Sequence, residues 1–128
     1  MNIEAFATKH RLTAKKDSCG ELIIPGKPRN VKPLESRCHI FEHSEGTLGL
    51  YLGVASVGKW NNRRKAALAS GFTLSQDGDD EGIVLFNPWD AKQAKLAIKM
   101  VGAREKRVLS TEQSAVLAKR LMAAREAL

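Results

Sequence analysis

The sequence predicts an α+β domain in which an antiparallel sheet of about four strands, built as two hairpins, carries helices on one face. The predicted order is ββαββαα after an extended basic N-terminal arm. Three observations support it. β-prone segments occur in two pairs around short turns, each pair precedes a segment of helical character, and proline and glycine punctuate residues 1–37. The 128-residue chain is long enough for one core, so we expect a single domain over residues 38–128.

The arm, residues 1–37, lacks a regular hydrophobic pattern. Residues 9–16 are basic without periodicity, and three of the four prolines of the chain fall in the arm. Only the stretch from Glu21 to Ile24 is apolar enough for a short strand, and Pro25 ends it. We therefore expect the arm to be extended, with one short strand, and to pack partly on the main domain.

Two hairpins follow from paired β-prone segments. Residues 38–43 and 47–54 flank Ser44-Glu45-Gly46, which is a typical hairpin spacing. Leu48, Leu50 and Leu52 alternate with other residues in the second segment, which predicts that one side of that strand faces the core. Residues 72–75 and 83–86 predict a second hairpin around the acidic turn 77–82.

Three helices are predicted from capping signals. The first covers residues 57–70 between Ser56 as N-cap and Gly71 as the terminating glycine. The second begins at Asn87-Pro88 and runs to about residue 102, and the third begins at the Ser110 capping box. Trp60 and Trp89 lie near helix starts, so we expect both to anchor helices to the sheet.

The composition excludes several classes of protein. Hydrophobic residues are 43% and charged residues 27%, which is ordinary for a globular domain and unlike a disordered chain or a disulfide scaffold. No apolar run approaches the roughly 20 residues that a membrane helix needs, so we expect no membrane association. We therefore expect a cytoplasmic location. Because the cytoplasm is reducing, we expect Cys19 and Cys38 to be free thiols.

Metal and catalytic chemistry have weak support in the sequence. Cys19, Cys38, His39 and His43 are the residue types that bind zinc, but they lack knuckle spacing, so no metal site or cofactor is predicted and zinc binding stays open. The acidic turn has Pro88 where a calcium loop needs its glutamate. No catalytic residue is predicted. A small metal-dependent nuclease that uses the strand histidines is the least favoured alternative.

The basic residues are the stronger signal, since the formal net charge is +7 and the isoelectric point is near 9.7. They predict a small non-enzymatic nucleic-acid-binding protein, with duplex DNA preferred, that holds the phosphate backbone by helix and arm. Any sequence preference would come from two asparagines and an arginine of the first helix. The candidate binding residues are Lys59, Asn61, Asn62, Arg63, Arg64 and Lys65 of the first helix, the ridge Lys92, Lys95 and Lys99 of the second, and Arg11, Lys15 and Lys16 of the arm.

The alternative function is a protein-interaction module, an adaptor or inhibitor. Its basic surface and C-terminal helix would then meet an acidic protein, and that helix could also pair two copies of the chain. The charges are segregated by element in either case. The arm and the helical segments are net positive, whereas the hairpin segments 38–58 and 72–87 are net negative. This separation predicts that one side of the molecule meets the partner.

Overall fold

The structure, a computed structural model, describes residues 1–105. In that range it has three α-helices and one six-stranded open sheet, antiparallel throughout, in the order β1-β2-β3-β4-β6-β5. The helices are α1 (Ile3–Lys9), α2 (Val57–Ala69) and α3 (Ala91–Val101). The strands are β1 (Lys15–Lys16), β2 (Leu22–Pro25), β3 (His39–Ser44), β4 (Thr47–Gly53), β5 (Thr73–Asp77) and β6 (Glu81–Phe86).

The predicted α+β class is confirmed, but the sheet has six strands instead of about four. Residues 1–37 supply the two additional strands. β2 lies where the sequence predicts the one short strand of the arm, whereas β1 and helix α1 were not predicted. β2 pairs with β3 so that Ile24 lies opposite Ile40, and both side chains are fully buried. Burial of such large apolar side chains is worth roughly 1.5–3 kcal/mol each, which favours docking of this segment on the sheet.

Helix α1 is short but well fixed. The Asn2 side chain accepts a hydrogen bond from the Ala5 N–H at 2.8 Å and so caps the first turn. Phe6 is completely buried and meets Phe86 edge to face with ring centroids 5.6 Å apart. Only seven residues long, α1 is too short for a periodic apolar pattern to stand out in the sequence.

All three helices cover the same face of the sheet. Leu48, Leu50 and Leu52 of β4 point to this face and are fully buried, as the alternation predicted. α1 packs on β2 and β3, α2 on β5 and β6, and α3 on β3, β4 and β6. No α-helix of residues 1–105 packs on the opposite face, where His39 and Tyr51 lie opposite each other across β3 and β4.

Helix α2 matches its prediction at both ends. Ser56 Oγ accepts the Lys59 N–H at 3.3 Å, and Gly71 has the left-handed φ of +90° that ends a helix. Trp60 is fully buried and donates from Nε1 to Asp77 Oδ1 at 2.8 Å, so it anchors α2 to β5. Because this ring is buried, it fixes the rotation of α2 about its axis. That rotation decides whether each lysine or arginine of α2 faces β5 or α3.

Helix α3 begins three residues later than predicted. Asp90, not Asn87, is its N-cap, because the Asp90 carboxylate accepts from the Lys92 and Gln93 N–H groups. Asn87 instead accepts the Trp89 N–H at 3.0 Å and closes a turn ahead of the helix. The helix ends at Gly102, as predicted, with φ of +70°.

The predicted third helix, from Ser110 onward, and the pairing of two copies through it lie outside the described residues. Within residues 1–105, none of the helices has the length and hydrophobicity that crossing a membrane requires.

Candidate nucleic-acid interface

A cleft of about 540 Å³ lies where the N-terminal half of α2, the end of α3 and the chain after β2 meet. We call it the basic cleft. Among the described residues, no carboxylate lines it. Its cationic lining is Lys27, Arg29, Lys59, Arg63 and Lys99. Lysine and arginine side chains are protonated at neutral pH, so the cleft concentrates positive charge that nothing in its described lining neutralises.

The residues after β2 reach the cleft through backbone hydrogen bonds. The Lys27 N–H donates to the Val101 carbonyl at 2.9 Å, and the Lys27 carbonyl accepts the Cys38 N–H at 2.9 Å. Arg29 Nη2 donates to the Gly102 carbonyl at 2.8 Å, which holds a cation against the carbonyl end of α3. The segment after β2 is therefore hydrogen-bonded to both the sheet and α3, and these bonds fix the positions of Lys27 and Arg29 at the cleft.

Arg63 forms the floor of the basic cleft. Its side chain is half-buried, and Nη1 donates to the Met100 carbonyl at 3.3 Å. Its Nε–H is buried and has no acceptor among residues 1–105. Lys59 lies one helical turn earlier on the same side of α2, and its side chain is exposed.

The backbone at the rim of the cleft is strained. Ala55, which lines the cleft just before α2, has a φ of +52°, a conformation that costs a non-glycine residue about 1 kcal/mol. Such conformations persist only where the surrounding structure enforces them, and they are common at functional sites.

Two further depressions adjoin the basic cleft, the first along α3 and the second against the arm and β2. One, of about 760 Å³, includes Lys92, Lys95 and Lys99, and we call it the basic groove. The other, of about 400 Å³, includes Lys15 and Arg37. Arg29 lines all three depressions, which makes them one continuous basic surface. Its described cations are Lys15, Lys27, Arg29, Arg37, Lys59, Arg63, Lys92, Lys95, Lys99 and Arg104.

Glu105 is the one carboxylate that lines this basic surface within residues 1–105. It forms an ion pair with Arg11 at 3.2 Å, with both side chains about half exposed. Arg11 is therefore next to the basic surface and neutralises the acidic residue at its edge. An exposed pair of this kind contributes less than about 1 kcal/mol to stability.

Six of the twelve predicted binding residues do not line the basic surface: Lys16, Asn62, Lys65, Arg11, Asn61 and Arg64. Lys16 on β1, and Asn62 and Lys65 on α2, are exposed, and none lines the basic cleft, the basic groove or the adjoining depression. The structure brings together Lys15, Lys59, Arg63, Lys92, Lys95 and Lys99 from the predicted set.

Arg64 and Asn61 belong to a different network. Arg64 Nη1 is 2.8 Å from Asp77 Oδ1, Nη2 donates to Asn61 Oδ1 at 3.0 Å, and the guanidinium lies 6.0 Å from the Trp60 ring centroid. The hydrogen bonds from Trp60 and Arg64 lower the pKa of the Asp77 carboxyl. These contacts join α2 to β5, so Arg64 and Asn61 support the fold on the side of α2 away from the basic cleft.

The open face of the sheet has the opposite charge. A cavity of about 390 Å³ is lined there by the carboxylates of Asp17, Glu21 and Glu35, and no lysine or arginine of the described chain contributes to it. Buried His39 lies in its wall, and desolvation lowers the pKa of this imidazole, which keeps it neutral at neutral pH. The basic surface and this cavity thus present opposite charges.

The candidate zinc ligands are dispersed. Cys38 lines the basic cleft and is buried, and burial raises the pKa of its thiol. The adjacent His39 points to the acidic cavity, Cys19 is exposed in a turn, and His43 is exposed. Over residues 1–105, no three Cys, His, Asp or Glu side chains are placed to hold one metal ion.

Sequence reasoning missed the importance of Lys27 and Arg29. The candidate binding residues of the arm did not include them, because nothing local indicates that β2 ends against α3. The side of α2 was predictable, however. Residues four apart lie on the same side of a helix, so Arg64 shares the side of the core-facing Trp60. Lys59 and Arg63 are also four apart and share a neighbouring side of α2.

Comparison of the chain with protein-family models, with curated proteins and with solved structures finds no match.

Proposed function

We propose that this protein binds nucleic acid by holding the phosphate backbone in the basic cleft and along the basic groove. The observation that supports this most strongly is the composition of the cleft, in which five cations converge without a carboxylate from the described chain. Like charges held this close repel one another, and an anion that enters relieves the repulsion. A chain of phosphates fits because the basic surface continues beyond a single cleft.

The extent of the basic surface favours a polyanion over a small anion as the ligand. A single phosphate needs only one cleft, whereas ten cations of residues 1–105 line three connected depressions. Arginine donates paired hydrogen bonds to phosphate oxygens, and lysine adds mobile positive charge around them. Contacts of this kind position a nucleic acid without selecting its sequence. A preference for duplex DNA and a cytoplasmic location stay predictions.

The salt dependence of binding tests the proposal. If five phosphates are held, the slope of log K against log salt is about −3.5 for a single strand and about −4.5 for a duplex. Affinity for a labelled oligonucleotide, measured by fluorescence anisotropy, is then expected to fall by about two to three orders of magnitude between about 50 and 200 mM salt. Absence of binding at the lowest salt, or a flat response, would contradict it.

A competition experiment separates nucleic acid from an acidic protein partner. Polyglutamate of matched charge presents carboxylates on a flexible chain, without the tetrahedral oxygens or spacing of phosphates. We expect it to displace the oligonucleotide only at a large excess. Equal competition by polyglutamate would favour the protein-interaction alternative, because the basic surface would then recognise charge alone.

A further inference from the structure

Trp89 is the most exposed large apolar side chain of the described residues, with 65% of its surface open to solvent. The sequence predicts that both tryptophans anchor helices, and this is wrong for Trp89. Trp60, by contrast, is fully buried. An indole this exposed buries little apolar surface in the fold, and tryptophan rings in such positions are typical of binding hot spots and of base-stacking platforms.

The backbone beneath Trp89 is held in place. Asn87 accepts the Trp89 N–H at its side chain and the Asp90 N–H at its carbonyl, at 3.0 and 3.1 Å. The intervening Pro88 is buried, and Asp90 caps α3. Because the turn is fixed before any ligand arrives, little backbone freedom is lost when the indole makes a contact.

Trp89 also lies just before α3, the helix whose lysines line the basic groove. Lys92, three residues later, lines the basic groove, and Lys9 of α1 places its Nζ 5.6 Å from the indole centroid. A cation over one face of the ring stabilises it through the ring quadrupole. With 65% of the side chain exposed, room remains for a second flat group on the indole.

From this arrangement we propose that Trp89 stacks on an unpaired base, and that the ligand is therefore single-stranded nucleic acid. The inference rests on the proposed function, because phosphates in the basic groove would bring the base to the indole. A base inside a duplex has both faces covered by its neighbours, whereas an unpaired base offers one. Trp89 thus selects for strandedness, which changes the sequence-based preference for a duplex.

The test compares Trp89→Ala with the unaltered protein on oligothymidylate and on a duplex of the same length. Loss of one stacked base is expected to weaken single-strand binding by about 5- to 150-fold. Duplex affinity and the salt slope should stay unchanged, because the basic surface is intact. Trp89→Phe retains a smaller ring and should give an intermediate loss.

Tryptophan fluorescence supplies a second readout from the same samples. Trp89 is exposed and Trp60 is buried, so stacking should quench the emission of Trp89 while that of Trp60 persists. In Trp89→Phe, only Trp60 remains, and its emission should not change on binding. Quenching that persists in Trp89→Phe would show that the signal does not come from stacking and would overturn the inference.

The failures of the two proposals can be distinguished. If Trp89→Ala binds oligothymidylate as well as the unaltered protein does, or loses single-strand and duplex affinity equally, stacking is refuted and phosphate binding stands. If the unaltered protein binds neither oligonucleotide at low salt, both proposals fall. A loss confined to the single strand, with quenching that depends on Trp89, supports both.

Discussion

Reversing two exposed lysines of the basic cleft, as Lys59→Glu with Lys99→Glu, is expected to weaken oligonucleotide binding at least about 100-fold. Each reversal replaces an attraction to phosphate of about 1 kcal/mol or more with a comparable repulsion, and 1.4 kcal/mol corresponds to a factor of ten. The slope of log K against log salt should also become shallower by about 2, one for each lost phosphate contact. Anisotropy titrations over a salt series measure both quantities.

The matched control is Lys16→Glu with Lys65→Glu. It changes the net charge by the same amount, and both lysines are exposed but lie outside the basic surface. We expect a loss of only a few-fold, caused by weaker long-range attraction. Equal losses in the two double variants would mean that net charge, not the basic cleft, governs binding. Circular dichroism and thermal unfolding of both variants confirm that the fold is retained.

The second large effect is expected on stability, from Gly26→Ala. A Cβ at this position would lie 1.8 Å from the carbonyl oxygen and 2.6 Å from the carbonyl carbon of Val101, and both are backbone atoms that no rotamer change can move. β2 would have to separate from α3, which breaks the Lys27 N–H to Val101 hydrogen bond. We expect a loss of about 3 kcal/mol or more of unfolding free energy.

Urea denaturation measures this loss, and the midpoint temperature of thermal unfolding, Tm, should fall by roughly 10 °C. Gly58→Ala is the matched control, since its Cβ would have no neighbour within 4 Å and its position is helical. That substitution should leave stability unchanged or raise it by up to about 1 kcal/mol. If Gly26→Ala unfolds like the unaltered protein, the close contact of the arm with α3 is not present in solution.

Helix caps and alternating apolar residues in the sequence predicted the ends of α2 and the buried side of β4. Ser56 and Gly71 mark the ends of α2, and the alternating leucines of β4 place its core side. Asn87 and Asp90 both suit an N-cap, and the sequence alone does not indicate that Asn87 is used in the preceding turn. The three-residue error at the start of α3 comes from that competition.

The candidate site was predictable only in part, because its assembly is nonlocal. The lysine ridge of α3 follows from helical spacing and does line the basic groove. Arg29, however, joins the site through a hydrogen bond to Gly102, 73 residues away in the chain. No periodicity encodes such a contact, which depends on where β2 pairs in the sheet. The exposure of Trp89 is nonlocal in the same way.

Amide chemical-shift changes in ¹⁵N-labelled protein at low salt map directly where an oligonucleotide binds. We expect the largest shifts at residues 27–29, 53–55, 59–63 and 99–102 around the basic cleft, and along α3 to Trp89. Shifts concentrated instead on the acidic face of the sheet, around His39 and Tyr51, would contradict this expectation.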